Sequence, residues 1–151
     1  WFKGLRFSNT SYLLMSALIY MHTIGGHYTF ERVPFEWFND YFGFERNMYD
    51  RVAHFTVGFY AYPFAEYILK RNLVNAKWLA YFTPFCFIVA LAAFYELFEW
   101  YYAATYGGEA GAAFLGSQGD IWDAQKDILM DTLGAVFALA LFKIQRVFSK
   151  D

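Results

Sequence analysis

The sequence predicts an all-α, polytopic membrane protein with four transmembrane helices and a short interfacial helix. Of its 151 residues, 58% are hydrophobic and 25% are aromatic. A soluble core of this size cannot bury so many aromatic side chains, whereas a bilayer accepts them in its hydrocarbon and at both interfaces. Three segments are apolar and long enough to cross a bilayer, and a fourth reaches this length when it is extended. The basic residues are concentrated at one end of these segments.

The predicted spans lie in one transmembrane domain, residues 1–151, and cover residues 7–26, 50–69, 77–106 and 120–148. The apolar part of the first span is short, so we extend it to reach the ~20 residues that a bilayer requires. The second span contains Pro63, where a kink is expected, because a neighbouring helix can satisfy the freed carbonyl. The chain begins with Trp1 rather than Met, so we expect it to belong to a longer protein.

The stretch between the first two spans mixes aromatic and charged residues. This pattern predicts a short helix over Pro34–Phe42 that lies in the membrane interface, with Trp37 and Phe38 toward lipid. An ordinary packed loop is the alternative. A loop with five glycines, residues 107–119, precedes the last span.

The basic residues predict the orientation of the spans. With alternating spans, the two termini and the turn at 70–77 share one side, and this side holds eight of the twelve basic residues: Lys3, Arg6, Lys70, Arg71, Lys77, Lys143, Arg146 and Lys150. Lys and Arg are enriched in cytoplasmic loops. We therefore expect both termini in the cytoplasm.

Composition also excludes several classes of protein. A net charge of −2 without a basic run gives no support for nucleic-acid binding. One cysteine, Cys86, excludes an internal disulfide and a cysteine-based zinc site. It lies in an apolar run, so we expect an inert, buried thiol.

The most informative stretch is the acidic start of the last span, residues 119–134. In a helix, Asp123, Asp127 and Asp131 fall at i, i+4 and i+8 and stack on one face, with Asp120 about one turn before them. Like charges at this spacing repel, and a carboxylate carried toward hydrocarbon must be paired, protonated or bound to a cation.

Polar residues on the other spans are expected at the same depth, in the outer half of the membrane. Imidazole and carboxylate oxygens suit a divalent cation such as Mg²⁺, Mn²⁺, Ca²⁺ or Zn²⁺. The candidate metal ligands are Asp50, His54, Glu96, Glu99, Asp123, Asp127 and Asp131. The alternatives are a salt-bridge network with Arg51, Lys126 and Arg32 or Arg46, a partly protonated carboxylate cluster, and a proton or solute path.

A second set of polar residues lies at the outer ends of the spans and is a candidate for substrate binding: His22, His27, Ser117, Gln118 and Asp120. The amides at the start of the last span favour an anion, although the nearby acids oppose it unless a cation intervenes. For His22, packing within an apolar helix is the alternative. Near the cytoplasmic side, Glu66 and Lys70 have the spacing of an ion pair within one helix.

Four strings of the sequence resemble the YjdF-type bacterial inner-membrane proteins: His22–Tyr28, Asn47–Phe55, Tyr95–Trp100 and Gly116–Gly134. The resemblance covers most of the chain from about Met21 on. The layout of these motifs is also similar to that of the VanZ-like proteins, which are associated with glycopeptide resistance and the cell envelope. The resemblance implies a multi-span inner-membrane protein with further spans upstream, and it transfers no catalytic role.

Together these observations favour a membrane protein with an outward-facing acidic and histidine pocket that binds a divalent cation and a lipid headgroup or cell-envelope substrate. The alternative is a non-catalytic accessory subunit that contacts other membrane proteins. The sequence contains no identifiable nucleophile, triad or redox motif and leaves open whether the protein is an enzyme. If it is one, metal-assisted hydrolysis or transfer fits best, with a carboxylate or His54 as the base.

Overall fold

A computed structural model describes residues 6–108, 111 and 116–148 of the chain. These residues form helices and contain no strand. The helices are α1 (Asn9–Tyr28), α2 (Glu36–Phe42), α3 (Tyr49–Val57), α4 (Ala61–Lys70), α5 (Leu79–Tyr106) and α6 (Asp123–Phe148), with single 3-10 turns at Phe30–Arg32 and Gly58–Tyr60. The prediction of an all-α protein is confirmed for this part of the chain. The remainder of the predicted glycine-rich loop, residues 109–110 and 112–115, lies outside it.

The short helix between the first two predicted spans is present as α2, which begins two residues after Pro34. Gly43 ends it in the left-handed conformation, with φ of 71°, and its amide returns to the carbonyls of Asn39 and Asp40. Only glycine adopts this conformation without a steric cost. On α2, Trp37 is 69% exposed, whereas Phe38 stacks on Phe35 with ring centroids 4.7 Å apart.

The second predicted span is one helical stretch that is interrupted between α3 and α4. The 3-10 turn at Gly58–Tyr60 lies one turn before Pro63. Proline has no amide hydrogen and its ring clashes with the carbonyl four residues earlier, here that of Phe59. The irregularity that Pro63 causes therefore appears on its N-terminal side, and not at the proline itself.

Among the described residues, α5 is the one helix that is by itself long and apolar enough to cross a membrane. Its 28 residues extend about 42 Å at the rise of an α-helix. Large side chains such as Phe94, Leu97 and Trp100 are more than half exposed along it. Cys86 is exposed on the same helix, so the prediction of a buried thiol is wrong: an apolar run does not say which face of the helix a residue occupies.

Helix α6 lies at the centre of the bundle, where it packs against α3, α4 and α5, while α1 packs against α3 and α4. The core between them is rich in small residues and consists of Leu14, Ala61, Tyr62, Ala65, Ile88, Ala135, Ala138, Leu139 and Phe142. Small residues allow helix backbones to approach closely, which is how helices associate in membranes.

Two backbones approach closely at Gly58, which follows α3, and Gly134 on α6. A β-carbon on Gly134 would overlap the carbonyl oxygen of Phe55 and would lie 3.2 Å from the α-carbon of Gly58. A β-carbon on Gly58 would overlap the backbone of α6 at Asp131, Gly134 and Ala135. Both positions therefore require glycine because two backbones touch there.

The opposite end of the bundle is held by Glu66 of α4, which is 5% exposed. Its carboxylate accepts hydrogen bonds from the amide of Ser8 at 2.9 Å and from the hydroxyl of Ser11, so it caps the start of α1 from a neighbouring helix. Lys70 pairs with it at 2.7 Å. The predicted Glu66–Lys70 ion pair is confirmed.

We expect Gly134→Ala to destabilise the protein, because the added methyl group must push α3 away from α6; overpacking of this kind costs ~1–3 kcal/mol. Gly26 of α1 is a matched control, since a β-carbon there meets nothing within 4 Å. Gly26→Ala should leave stability unchanged or raise it by up to ~1 kcal/mol, because alanine is the better helix former. Thermal unfolding of the purified variants in detergent measures both. Equal melting temperatures would contradict the close helix contact.

Candidate functional site

The site lies between α3 and α6, one to three turns from the Gly58–Gly134 contact. Arg51 of α3 is at its centre, and its side chain is 4% exposed. The guanidinium forms ion pairs with the carboxylates of Asp123 and Asp127 and lies 3.3 Å from the backbone carbonyl of Asp123. One arginine thus holds two consecutive carboxylates of the acidic face of α6.

The outer end of the site is more exposed and is built on Asp120, which precedes α6. Its carboxylate accepts a hydrogen bond from Lys126 at 2.6 Å and one from the amide of Trp122 at 3.0 Å, and these bonds lower its pKa to about 2. Arg46 lies 3.3 Å from Asp120 and 2.8 Å from Asp123. This end is a salt-bridge network with its charges paired.

The inner end of the site is built around His54, which is 8% exposed. Its Nδ1 lies 3.2 Å from Oδ2 of Asp131. Its Nε2 lies 3.7 Å from Oδ1 of Asp50 and 3.7 Å from Oδ1 of Asp127. In the tautomer that is protonated at Nδ1, the ring donates a hydrogen bond to Asp131, which orients it, and Nε2 then faces the other two carboxylates.

Asp50, His54 and Asp127 are all buried, and each offers one ligand atom such that these atoms lie within 4.8 Å of one another. Metal–ligand bonds of about 2.0–2.2 Å place neighbouring ligand atoms roughly 3–3.6 Å apart. The two 3.7 Å distances from Nε2 need little contraction to reach this range, and the oxygens of Asp50 and Asp127 lie within 4.8 Å of each other. Asp127 also pairs with Arg51, but a carboxylate has about four lone-pair directions and can serve both.

Glu96 and Glu99 lie on α5, outside this group of three. Glu96 interacts electrostatically with Asp127, His54 and Asp131. Its Oε1 is buried and has no hydrogen-bond partner among the described residues. The two glutamates therefore place further carboxyl groups beside a cluster whose carboxyl groups already outnumber its cationic side chains.

The residues predicted to bind substrate do not form one site. Gln118 is exposed and exchanges two hydrogen bonds with the backbone of Asn47, at 3.0 and 3.1 Å, while the carbonyl of Ser117 accepts from the amide of Asp120. His27 is exposed beside Tyr28. His22 packs edge-on against Phe30 and faces the interior. The carboxylate of Asp120 accepts a hydrogen bond from the amide of Trp122. This amide is therefore not available to the predicted anion.

Comparison with known proteins identifies the family. The family model described as "Predicted membrane protein (DUF2238)" matches residues 1–147. The chain belongs to this family. The inner membrane protein YjdF of Escherichia coli (strain K12) is 39% identical over 130 residues, which are 82% of this chain and 61% of YjdF. The chain thus spans less than two thirds of that relative. No solved structure matches it.

These comparisons confirm the resemblance to the YjdF-type proteins and the membrane class of the protein. The similarity to VanZ-like proteins stays a prediction. From the sequence, the arginines are expected only in the salt-bridge alternative to metal binding, whereas in the structure Arg51 lies at the centre of the site. The position of Arg51 beside Asp50, at the start of a predicted span, is the sequence signal for a buried arginine. That position does not indicate which helix carries the carboxylates that pair with it.

Two asparagines that the sequence analysis does not single out, Asn39 and Asn47, fix the turn before α3. The side chain of Asn47 donates to the carbonyls of Glu31 and Val33 at 3.1 and 2.7 Å and accepts from the amide of Tyr49. Asn39 accepts from the amide of Met48 at 3.1 Å. An asparagine shortly before a helix is a recognisable capping signal, and here it fixes the turn that delivers Asp50 and Arg51 to α6.

We expect Arg51→Met to destabilise the protein by ~3–5 kcal/mol, because removing one partner of a buried ion pair leaves uncompensated carboxylates behind. Arg32 is the control, since its side chain is 75% exposed in a pair with Glu31; Arg32→Met should change stability by no more than ~1 kcal/mol. Unfolding in detergent compares the two. A melting temperature of Arg51→Met equal to that of Arg32→Met would show that Arg51 does not hold α3 to α6.

Proposed function

We propose that the protein is a four-span protein of the bacterial inner membrane with a single transmembrane domain. Helices α1, α5 and α6 would each form a span, and α3 and α4 together would form the remaining one over residues 49–70. Each of these segments has about the ~20 residues that a bilayer requires. The family description and the location of the YjdF relative support a membrane setting.

In the proposed orientation both termini and the turn between α4 and α5 are cytoplasmic. The support is the distribution of Lys and Arg, which places Lys70, Arg71 and Lys77 in this turn. The start of α6 and the end of α5 then face outward. The acidic and histidine cluster accordingly lies in the outer half of the membrane.

We further propose that this cluster binds a divalent cation through Asp50, His54 and Asp127. The observation that carries the proposal is the convergence of three buried ligand atoms from two helices within 4.8 Å. Asp131 supports it, because a carboxylate on the second nitrogen of a ligating histidine orients the ring. The excess of carboxylates supports it as well, because in a low dielectric their mutual repulsion is relieved by a cation.

Three protein ligands leave coordination positions for water or for a ligand. A cation in the outer half of the membrane could thereby hold the headgroup of a lipid or a cell-envelope substrate. In the competing hypothesis the protein is an accessory subunit of a membrane complex, in which the carboxylates serve only the pairs with Arg46, Arg51 and Lys126. Metal content distinguishes the two hypotheses.

The proposed orientation predicts which loop is accessible to reagents outside the cell. In a Cys86→Ser background, a cysteine at Ser117 should react with a membrane-impermeant maleimide applied to intact cells, whereas a cysteine at Asn75 should react only after the cells are opened. Both positions lie between helices. Labelling of position 75 from outside would reverse the proposed orientation.

For the cation, we expect Asp50→Asn to lower Mn²⁺ affinity by at least about tenfold, since losing even a second-shell group costs 10–100-fold. Asp50 is the informative position because, among the described residues, its one ion pair is with His54. Asp127 is unsuitable, since its replacement also breaks the pair with Arg51. Asp40→Asn, an exposed change on α2, is the control and should retain full affinity.

Equilibrium dialysis with metal analysis gives the affinity of the purified protein. Electron paramagnetic resonance of bound Mn²⁺ should in addition show coupling to an imidazole nitrogen that disappears in His54→Gln. If the parent protein binds no stoichiometric Mn²⁺, Zn²⁺ or Mg²⁺, the cation proposal is wrong and the accessory-subunit hypothesis is favoured.

A further inference from the structure

An open cavity of about 630 Å³ lies at the end of the bundle opposite the carboxylate cluster. It is formed by the start of α1, the C-terminal half of α4 and the last turns of α6. Its volume falls within the ~300–1,000 Å³ of ligand pockets. None of the described residues that line it belongs to the proposed cation site, so the two are separate.

The charged residues that line the cavity are Lys70, Arg146 and Glu66. The carboxylate of Glu66 is already used, because it accepts from the amide of Ser8 at 2.9 Å and pairs with Lys70 at 2.7 Å. The ammonium of Lys70 also donates to the carbonyl of Arg6 at 2.7 Å. An ammonium has three N–H donors, so one remains after these two contacts. The side chain of Lys70 is 46% exposed.

Arg146 is the charge of the cavity that no carboxylate balances among the described residues. Its guanidinium lies over the ring of Phe142, with 5.8 Å from Cζ to the ring centroid. Such a cation–π contact holds the side chain but does not neutralise it. Because Glu66 offsets Lys70, the described lining residues carry one more positive than negative charge. The cavity therefore favours an anion with a single charge.

A phosphodiester has this single negative charge, whereas a phosphate monoester carries about −1.5 to −2 at neutral pH. Arginine binds phosphate oxygens through two parallel hydrogen bonds. Thr10, in the first turn of α1, lines the same cavity and adds a hydroxyl that can donate to a phosphate oxygen. The charge balance and the donors thus fit a phosphodiester better than free phosphate.

The remaining wall of the cavity is apolar and includes Leu69 and Phe148. Phe148 is 77% exposed. In the proposed orientation this end lies at the cytoplasmic interface, since Lys70 ends α4 and Arg146 is in the last turn of α6. Basic pockets between membrane helices on this side bind anionic headgroups. A lipid would use both the cations and the apolar wall, whereas a soluble phosphate compound would leave the apolar wall bare.

We propose that this cavity binds a glycerophospholipid of the cytoplasmic leaflet whose headgroup has a net negative charge. The phosphodiester contacts Arg146, Lys70 and Thr10, and the acyl chains leave past the apolar wall. An ammonium group in the headgroup would be repelled by the same cations. The inference rests on the proposed membrane orientation, and it does not require a cation at the carboxylate cluster.

The test measures lipid binding to the purified full chain in detergent by native mass spectrometry. The probes are phosphatidylglycerol, which is anionic, and phosphatidylcholine with identical acyl chains, which is zwitterionic. We expect phosphatidylglycerol to bind about tenfold more tightly, as one charge-assisted contact would give. Glycerol 3-phosphate and inorganic phosphate, each added in large excess, represent the soluble sources of the same chemistry and should not displace the lipid.

Arg146→Gln should weaken the binding of phosphatidylglycerol about tenfold or more and leave that of phosphatidylcholine unchanged. Arg71→Gln is the matched control, because it removes the same charge from the same end of the bundle at an exposed residue outside the cavity. It should retain full affinity. Arg146→Lys keeps the charge but loses the paired hydrogen bonds, so its affinity should fall between those of the parent protein and Arg146→Gln.

A second pair of variants adds a negative charge instead. Thr10→Glu places a carboxylate in the cavity and should weaken the binding of phosphatidylglycerol, whereas Asn9→Glu changes its exposed neighbour outside the cavity and should not. An acidic residue in the first turn is favourable for a helix, so both variants are expected to fold. Thermal unfolding verifies the folding of each variant. Should Arg146→Gln not fold, this pair decides.

Equal affinity for the two lipids, or an equal loss in Arg146→Gln and Arg71→Gln, would show only general attraction to a basic surface and would overturn the proposal. Displacement of the lipid by glycerol 3-phosphate would overturn the choice of a lipid. Binding in detergent does not depend on which way the protein crosses the membrane, and Mn²⁺ binding is measured on Arg146→Gln as well. A failure of the lipid site is therefore distinguishable from a failure of the orientation or of the cation site.

Discussion

The contact of two glycines, Gly58 and Gly134, is the constraint on which the rest of the structure depends. Where backbones touch, the side chains of the next turns have little room between the helices. His54 and Asp131 are one turn from this contact, and Arg51 and Asp127 follow one turn further out. A bulkier residue at either glycine would widen the gap along α3 and α6 and lengthen each of these pairs together. Small residues at a helix contact thereby determine polar geometry several residues away.

The polar groups between α3 and α6 carry a large desolvation cost, which ion pairing only partly offsets. At the outer end, Arg46, Arg51 and Lys126 match the carboxylates of Asp120, Asp123 and Asp127. At the inner end, Asp50 and Asp131 have only His54 as an ion-pair partner within the described part of the chain. A protein selected for stability alone would place apolar residues there. The imbalance is the physical reason to propose binding at the inner end and structural pairing at the outer end.

Much of the fold was predictable because it depends on local signals. The lengths of the apolar segments predicted helices whose ends lie within a few residues of those of α1, α5 and α6. The spacing of Asp123, Asp127 and Asp131 placed all three on one face of a helix, and this face is buried. The Glu66–Lys70 pair follows from spacing within one helix. Contacts between helices were not predictable in this way. Arg51 could have paired with any of several acids, and its choice of Asp123 and Asp127 depends on the register set by the glycine contact.

Other differences have the same origin. The exposure of Cys86 depends on which face of α5 meets α6, and the continuous apolar character of that helix carries no such information. The cavity at the opposite end could not be predicted either, since it is formed by α1, α4 and α6, which are far apart in sequence. Sequence reasoning placed the polar residues at one depth, but it could not divide them into a paired end and a group of three.

The two nitrogens of His54 face different carboxylates, with Asp131 at Nδ1 and Asp50 and Asp127 at Nε2, and this has a thermodynamic consequence. A cation at Nε2 would need the unprotonated nitrogen, so cation and proton would compete for the same lone pair. Such linkage is reciprocal, so the factor by which protonation of Nε2 lowers cation affinity equals the factor by which the cation lowers proton affinity. A single side chain would thereby make cation binding in this membrane protein sensitive to pH.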